Sequence, residues 1–589
     1  MAESVFQPVP GQLASLLRDI EAATRDESPL PVLGFAAYND FFLTGNRMRY
    51  EKLYFQRRAR LNALAVQALL DPAADVSRLA DVLWAVCDEY TWALPAHIHY
   101  GQGFGPDQTL DLFAAETAHA LAEIVTGLGP RLDPLVAHRV RTEVERRVLV
   151  PLADPRPLAW EGFGNNWESV CAGAAGMAAM LLLPPSDRRT LILDRCGKAM
   201  DRFLAGYGDD GGCPEGVNYW VYGFGYFVYY AAMLHEQTGV DLLDDPKVAQ
   251  IAGFPPRAAL GGGAYAPFSD ADEHPWLPAG LLSLLADRFG TAPATVIPSF
   301  HDDHCYRWAH LARTFAWYRP SDVVSPPADS DFLPDLAWAV DRGPTAVFAA
   351  KGGHNDEPHN HVDLGAFLLH VRGRTVLADL GAGEYTRSYF SETRYDHLHP
   401  SARAHSIPVV DGQLQLPGRA RLATVVRHEV LPDGIAFDLD LTAAYEVDGL
   451  RRLVRRFRWW RTGRLELTDE VVADRPLPLT EVFVSRYAPA VADNAVTWND
   501  AVTLSLGPDS ASGSDSDRGS DSDRGSGSDP ASGSERASAG RARPASGPVE
   551  VDVVEATDHH GRPDTAYRVL VPVTAPAGES AHTFTFIVH

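Results

Sequence analysis

The chain has 589 residues, 52 Lys and Arg against 77 Asp and Glu, a formal charge of -25, and a hydrophobic content of 46%. That length exceeds what one hydrophobic core organises, so two or three domains are expected. The acidic balance excludes a generic nucleic-acid or anionic-membrane surface, which needs a basic field. The opening residues lack a basic-then-apolar leader pattern, and no stretch is apolar enough to span a bilayer; the expectation is a cytoplasmic protein with no membrane contact. The five cysteines (Cys87, Cys171, Cys196, Cys213 and Cys305) show no zinc-ribbon or CxxC spacing and are expected as reduced, buried thiols.

From about residue 10 to 320, apolar residues recur at helical spacing, as in 61–70, 79–90, 110–128, 167–183 and 219–237. The stretch 169–183 (SVCAGAAGMAAMLLL) is apolar all round, as expected of an inner helix covered on every side. From about 335 the pattern becomes β: 337–350, 366–371, 375–380, 453–460, 464–472, 567–573 and 583–588 are rich in Val, Phe, Trp and Thr and separated by turn pairs such as Arg372-Gly373 and Thr462-Gly463. The expected class is α+β and multidomain, with a two-layer helical domain over 1–325 and an antiparallel β-sandwich domain over 326–589. Residues 507–547 degenerate into Ser, Asp, Gly and Arg with SDSDRG repeated, and are expected to form a disordered surface loop between strands.

Three constellations carry chemistry. Asn165 and Asn166 open a helical run and offer uncharged donors for a carboxylate that becomes more electron-rich during reaction; the competing reading is that one of them merely caps the helix. The segment 210–226 (DGGCPEGVNYWVYGFGY) runs from a glycine-punctuated loop into an aromatic helix, presenting Tyr219 as an acid or base and Glu215 and Trp220 as candidate substrate contacts. For Trp220, Phe224 and Phe227 a core role is the preferred alternative. The third is 352–367 (GGHNDEPHNHVDLGAF), together with 376–381 (VLADLG) and 403–412 (RAHSIPVVDG). His359 and His361, two apart, would face one pocket from an extended backbone. A buried aspartate and two histidines would suit a borderline metal, zinc above others, with His397 and His399 as competitors for the role.

In their order and spacing these motifs resemble the heparinase II/III superfamily of polysaccharide lyases. The resemblance implies an N-terminal (α/α) toroid followed by antiparallel β-sheets, with the active site in the cleft between them. It places Asn165 and Asn166 where the family neutralises a uronate carboxylate, Tyr219 at the catalytic tyrosine, His359 at the catalytic histidine, and His361, Asp379 and His405 at the metal ligands. His97 resembles a histidine that contacts substrate from the toroid side. Val362 and Ser406 depart from residues frequent in the family without removing a ligand.

The activity implied is β-elimination at 4-linked uronic acids. Amides neutralise the carboxylate, a base removes the C5 proton and an acid protonates O4. No organic cofactor is expected, because Gly261-Gly262-Gly263 lacks the spacing of a phosphate cradle. The implied partner is an acidic poly- or oligosaccharide, with carboxylate-only uronides favoured over heavily sulfated ones by the negative charge; a homo-oligomer is left open. The alternatives are a uronide hydrolase drawing its carboxylate pair from Asp209, Asp210 and Glu215, or a non-catalytic carbohydrate-binding protein.

Overall fold

A computed structural model describes residues 10–101, 103–321, 326–506 and 547–589. The Ser/Asp/Gly/Arg segment expected as a loop lies, but for Gly547, outside the described residues.

The N-terminal part is helical, followed by antiparallel β-sheets. Its long helices include Met48–Leu70, Leu112–Leu128, Asn166–Leu182, Asp187–Ala205 and Gly225–Thr238. Asn166–Leu182 is the inner helix its composition calls for: from Val170 to Ala179 every side chain is buried, and the small residues let neighbouring helices close in. The stretch expected as one helix from 219 is broken into a turn at Val217–Tyr219, a π turn over Trp220–Phe224 and the helix Gly225–Thr238. Such a widened turn is a frequent companion of functional sites. Here it follows directly on Tyr219, and the carbonyl of Gly223 inside it accepts the Ser169 hydroxyl at 2.7 Å, tying the turn to the helix that carries Asn166.

The β part holds three larger sheets. Five strands, Ser330–Leu333, Trp338–Arg342, Ala346–Lys351, Phe367–Val371 and Arg374–Leu377, pair in sequence order. The expected strand over 337–350 is therefore two, divided by a turn at Gly343-Pro344 that Pro344 initiates. A nine-stranded sheet runs from Pro489–Ala492 at one edge through Gly578–Val588, Arg464–Ala473 and Leu450–Trp460 to Gly353–Asn355 at the other, and a four-stranded sheet comprises Glu550–Thr557, Pro563–Ala575, Leu477–Ser485 and Val409–Val410.

The five-stranded sheet joins the two parts. Along Trp338–Arg342, Trp338 and Val340 enter the helical core while Ala339 enters the β core with Phe348, Phe437, Leu467, Phe483 and Val571. Side chains alternate across a strand, so a sheet apolar on both faces has to be covered on both. The segments leaving this sheet consequently emerge against the helices, and there they build the site.

Candidate active site

A cavity of about 1500 Å3 lies between the helical and β parts, lined by His97, Asn166, Trp167, Tyr219, Asp270, His359 and Tyr385 among others. That exceeds the roughly 300–1,000 Å3 of small-molecule pockets and leaves room for an oligosaccharide.

On the helical wall, Asn165 and Asn166 part company. Asn165 caps the helix Asn166–Leu182, its carboxamide oxygen accepting the Trp167 N–H at 3.1 Å, and it does not line the cavity. The expectation of a catalytic Asn165 therefore gives way to its capping alternative, because a cap oxygen is already committed to the backbone. Asn166 lines the cavity, is 4% exposed, and its Oδ1 has no partner. A buried polar atom left unpaired is costly and calls for a ligand. His97 stands beside it: its ring meets Trp167 edge-on at 4.8 Å, and Nδ1 donates to Asp111 at 2.7 Å. Trp220, carried as a substrate contact, is fully buried with its indole N–H donated to the Ile251 carbonyl at 2.7 Å; it is core.

The decisive residue on the opposite wall is one that sequence reasoning missed, Asp270. Its buried carboxylate accepts Nδ1–H of His359 at 2.7 Å, Nε2–H of His361 at 2.9 Å, the Tyr389 hydroxyl at 2.6 Å and the Arg394 guanidinium at 3.0 Å. Burial alone would raise its pKa, but Arg394 and the two imidazoles hold it well below the usual carboxylate range. Two glycines bring it there. A Cβ on Gly216 (φ 86°) would fall 2.5 Å from Ala271 Cβ, and one on Gly381 (φ 63°) 2.3 Å from the Ala271 carbonyl oxygen, so the loop bearing Asp270 fits between them only because both lack side chains.

His359 and His361 do not share a pocket as an extended backbone would have them do. His359 sits at φ 55°, in the left-handed region, and this reversal breaks the alternation. His359 faces the cavity, while His361 turns inward and is fully buried. The His359 ring lies over that of Tyr219, centroids 4.2 Å apart, with Nδ1 3.2 Å from the Tyr219 hydroxyl. The Tyr219 hydroxyl also meets that of Tyr385 at 2.6 Å. Burial, reinforced by Asp270, pushes the Tyr219 phenol well above its ordinary range, so it keeps its proton. Glu215 does not line the cavity, and its Oε2 lies 3.6 Å from His359 Nε2 without a hydrogen bond. Burial pushes its carboxyl up to about 7, against the opposing pull of His359. Asp210, one of the three candidates for a hydrolytic carboxylate pair, accepts the Gly212 and Asp335 N–H groups at 2.8 Å each, and neither it nor Asp209 lines the cavity.

Behind His359 lies a buried group that can hold a metal ion: His361, Asp363, Asp379 and His405, with candidate ligand atoms within 4.8 Å of one another. The donor set fits. His361 gives Nε2–H to Asp270, which leaves its buried Nδ1 without a partner. His405 gives Nε2–H to the His399 carbonyl at 3.0 Å, which leaves Nδ1 beside Asp379 at 3.1 Å. Each imidazole is thus oriented by a hydrogen bond from its outer nitrogen, the usual arrangement for a metal-ligating histidine. Asp363 was not foreseen as part of this group. It faces Lys351 at 2.9 Å in a geometry that gives neither oxygen a hydrogen bond. Its place two residues beyond His361 was the available signal. His399 instead bonds Asp564 at 3.1 Å, and His397 the Ser388 hydroxyl at 2.9 Å.

The fold is that of polysaccharide lyases of known structure. Heparinase III, 12% identical, gives a TM-score of 0.62 over 100% of this chain and 93% of that one. Heparan sulfate lyase from Pedobacter heparinus, 13% identical, gives 0.53 over 100% and 84%. Chondroitin AC lyase from Streptomyces coelicolor A3, 10% identical, gives 0.50 over 100% and 80%. At these identities the likeness is one of fold. No curated protein sequence matches the chain. Residues 325–579 match the family described as Heparinase II/III-like, C-terminal. No helix among the described residues is long and apolar enough to cross a membrane.

Proposed function

We propose that the protein is a carbon–oxygen lyase that cleaves 4-linked uronic-acid glycans by β-elimination. The observation that carries this reading is the convergence of Asn166, Tyr219 and His359 on one cavity, with the phenol and imidazole in contact. Asn166 binds the uronate carboxylate and holds the charge that develops on it as C5 loses its proton. Because Asp270 takes Nδ1–H, the His359 lone pair is on Nε2, and Nε2 accepts the C5 proton. The C5–H electrons form the C4–C5 double bond, the C4–O4 bond breaks, and the neutral Tyr219 phenol protonates O4. His359 then gives up its Nε2 proton, and the Tyr219 phenolate regains one, by exchange with solvent in the cavity, while Nδ1–H stays on Asp270. His97 contacts substrate from the helical wall.

His361, Asp363, Asp379 and His405 would hold the metal, and four N and O donors favour zinc. The ion would supply positive charge that disfavours imidazolium nearby and would pin the segment presenting His359. The partner is an acidic poly- or oligosaccharide.

The test is a panel of uronate-containing glycans assayed for unsaturated product by ultraviolet absorbance. Tyr219→Phe is expected to lower kcat by about 10²–10⁴-fold while leaving the affinity for the same glycan within about threefold. Product without a new double bond, or a fully active Y219F chain, would overturn the reading.

A further inference from the structure

Outside the residues assigned so far, the cavity is lined by the tip of one hairpin. The strands Glu550–Thr557 and Pro563–Ala575 are joined by Asp558, His559, His560, Gly561 and Arg562, and His559, His560 and Arg562 all line the cavity. The tip is held firmly. Asp558 Oδ1 accepts the backbone N–H groups of His560 at 2.9 Å and Arg562 at 2.8 Å, and the Asp558 N–H bonds the Arg562 carbonyl at 2.9 Å. It is docked on the loop that leads to Tyr385: the His559 N–H reaches the Ala382 carbonyl at 3.1 Å, and the His559 ring meets that of Tyr385 at 4.3 Å. Across the cavity mouth it faces the helical part, His304 lying 6.0 Å from His559 and 5.9 Å from His560 between ring centroids.

Four arginines line this cavity, and three of them are occupied. Arg47 bonds Glu51 at 2.7 Å, Arg307 bonds Asp303 at 2.7 Å, and Arg387 donates to the Phe41 carbonyl. The Arg562 guanidinium has no hydrogen bond or ion pair among the described residues. Within the tip, Asp558 Oδ1 is taken up by backbone N–H groups, and Asp272 outside it lies 3.8 Å from His560 Nε2 with its other oxygen taken by the Asn218 amide at 2.8 Å. In a chain of charge -25, an exposed, unpaired guanidinium on a hydrogen-bonded tip that lines the cavity is a positive point with nothing of its own to hold.

We propose that Arg562, with His560 beside it, is a subsite for the oxyanion, carboxylate or sulfate, of a sugar neighbouring the one held at Tyr219. This rests on the glycan-cleaving reading above and adds to it where a second anionic unit is recognised. A guanidinium presents paired donors that match either oxyanion. The subsite sets substrate length and charge pattern rather than the chemical step, since Arg562 makes no hydrogen bond to Asn166, Tyr219 or His359 among the described residues.

The test is a binding titration in the Tyr219→Phe chain, so that ligand is not consumed, comparing Arg562 with Arg562→Ala and Arg562→Lys. The probes are an unsulfated tetrauronate, a sulfated uronate–glucosamine tetrasaccharide and a uronate disaccharide. Arg562→Ala is expected to weaken whichever tetrasaccharide places its anion there by about tenfold, Arg562→Lys to recover part of that, and the disaccharide to be unaffected. In the chain with Tyr219 intact, R562A should raise KM with kcat within about twofold. The arm showing the larger loss identifies carboxylate or sulfate. Equal affinity of Arg562 and R562A chains for both tetrasaccharides overturns the subsite. Binding with the expected R562A loss but no turnover of any glycan by the native protein overturns the lyase reading and leaves the subsite standing. No binding of any probe overturns both.

Discussion

Glu215 offers the sharpest test of the site's electrostatics. Its carboxyl, buried beside His359 with one oxygen unbonded, is moved from 4.5 to about 7 chiefly by burial. A carboxyl whose folded value is raised binds its proton more tightly folded than unfolded. Its favourable contribution is complete below 4.5, falls as pH rises from there, and is lost above about 7. The difference corresponds to about 3 kcal/mol of destabilisation at alkaline pH. Glu215→Gln replaces the carboxyl with a neutral group of the same shape. The variant should match the native protein near pH 4.5, where Glu215 is itself neutral, and exceed it by about 3 kcal/mol at about pH 8. Calorimetry at both pH values would read this as no shift at the lower and a rise of about 2 °C at the higher. An identical shift at the two pH values, or a loss of stability in E215Q at about pH 8, would show that the charged carboxylate is held by His359 and refute the burial argument.

The two adjacent asparagines should separate cleanly: Asn165→Ala is expected to lower stability by about 1 kcal/mol through the lost cap with activity largely retained, whereas Asn166→Ala should lower kcat by about 10²-fold with little change in melting temperature. Asp363→Asn should reduce bound metal, read by elemental analysis of the purified protein, and lower its thermal midpoint; unchanged metal content would remove Asp363 from the ligand group.

Much of the fold was written in periodicity. The inner helix Asn166–Leu182 declares itself because a stretch apolar on every side has to be covered on every side, and Arg464–Ala473 because alternate residues are apolar. Gly418–Leu431 escaped notice: only Ala423 in it is buried and its charges blur the alternation, so its strand character comes from pairing with Gly434–Asp440. Several site residues were legible because motif segments carried them: Asn166, Tyr219, His359, His361, Asp379 and His405.

What the chain by itself determined was which side chains were available and on which kind of element they would sit. Only the tertiary structure decided how they divide the work: that Asn165 caps while Asn166 faces the cavity, that a left-handed residue at His359 sends His361 the other way, and that Asp270, in a loop with no distinguishing pattern, ties both imidazoles to Arg394. The reason is physical. Helices and strands follow from the spacing of apolar residues along the chain, whereas a site is made of groups far apart in sequence whose charges and hydrogen bonds are satisfied only by each other once the two parts have closed together.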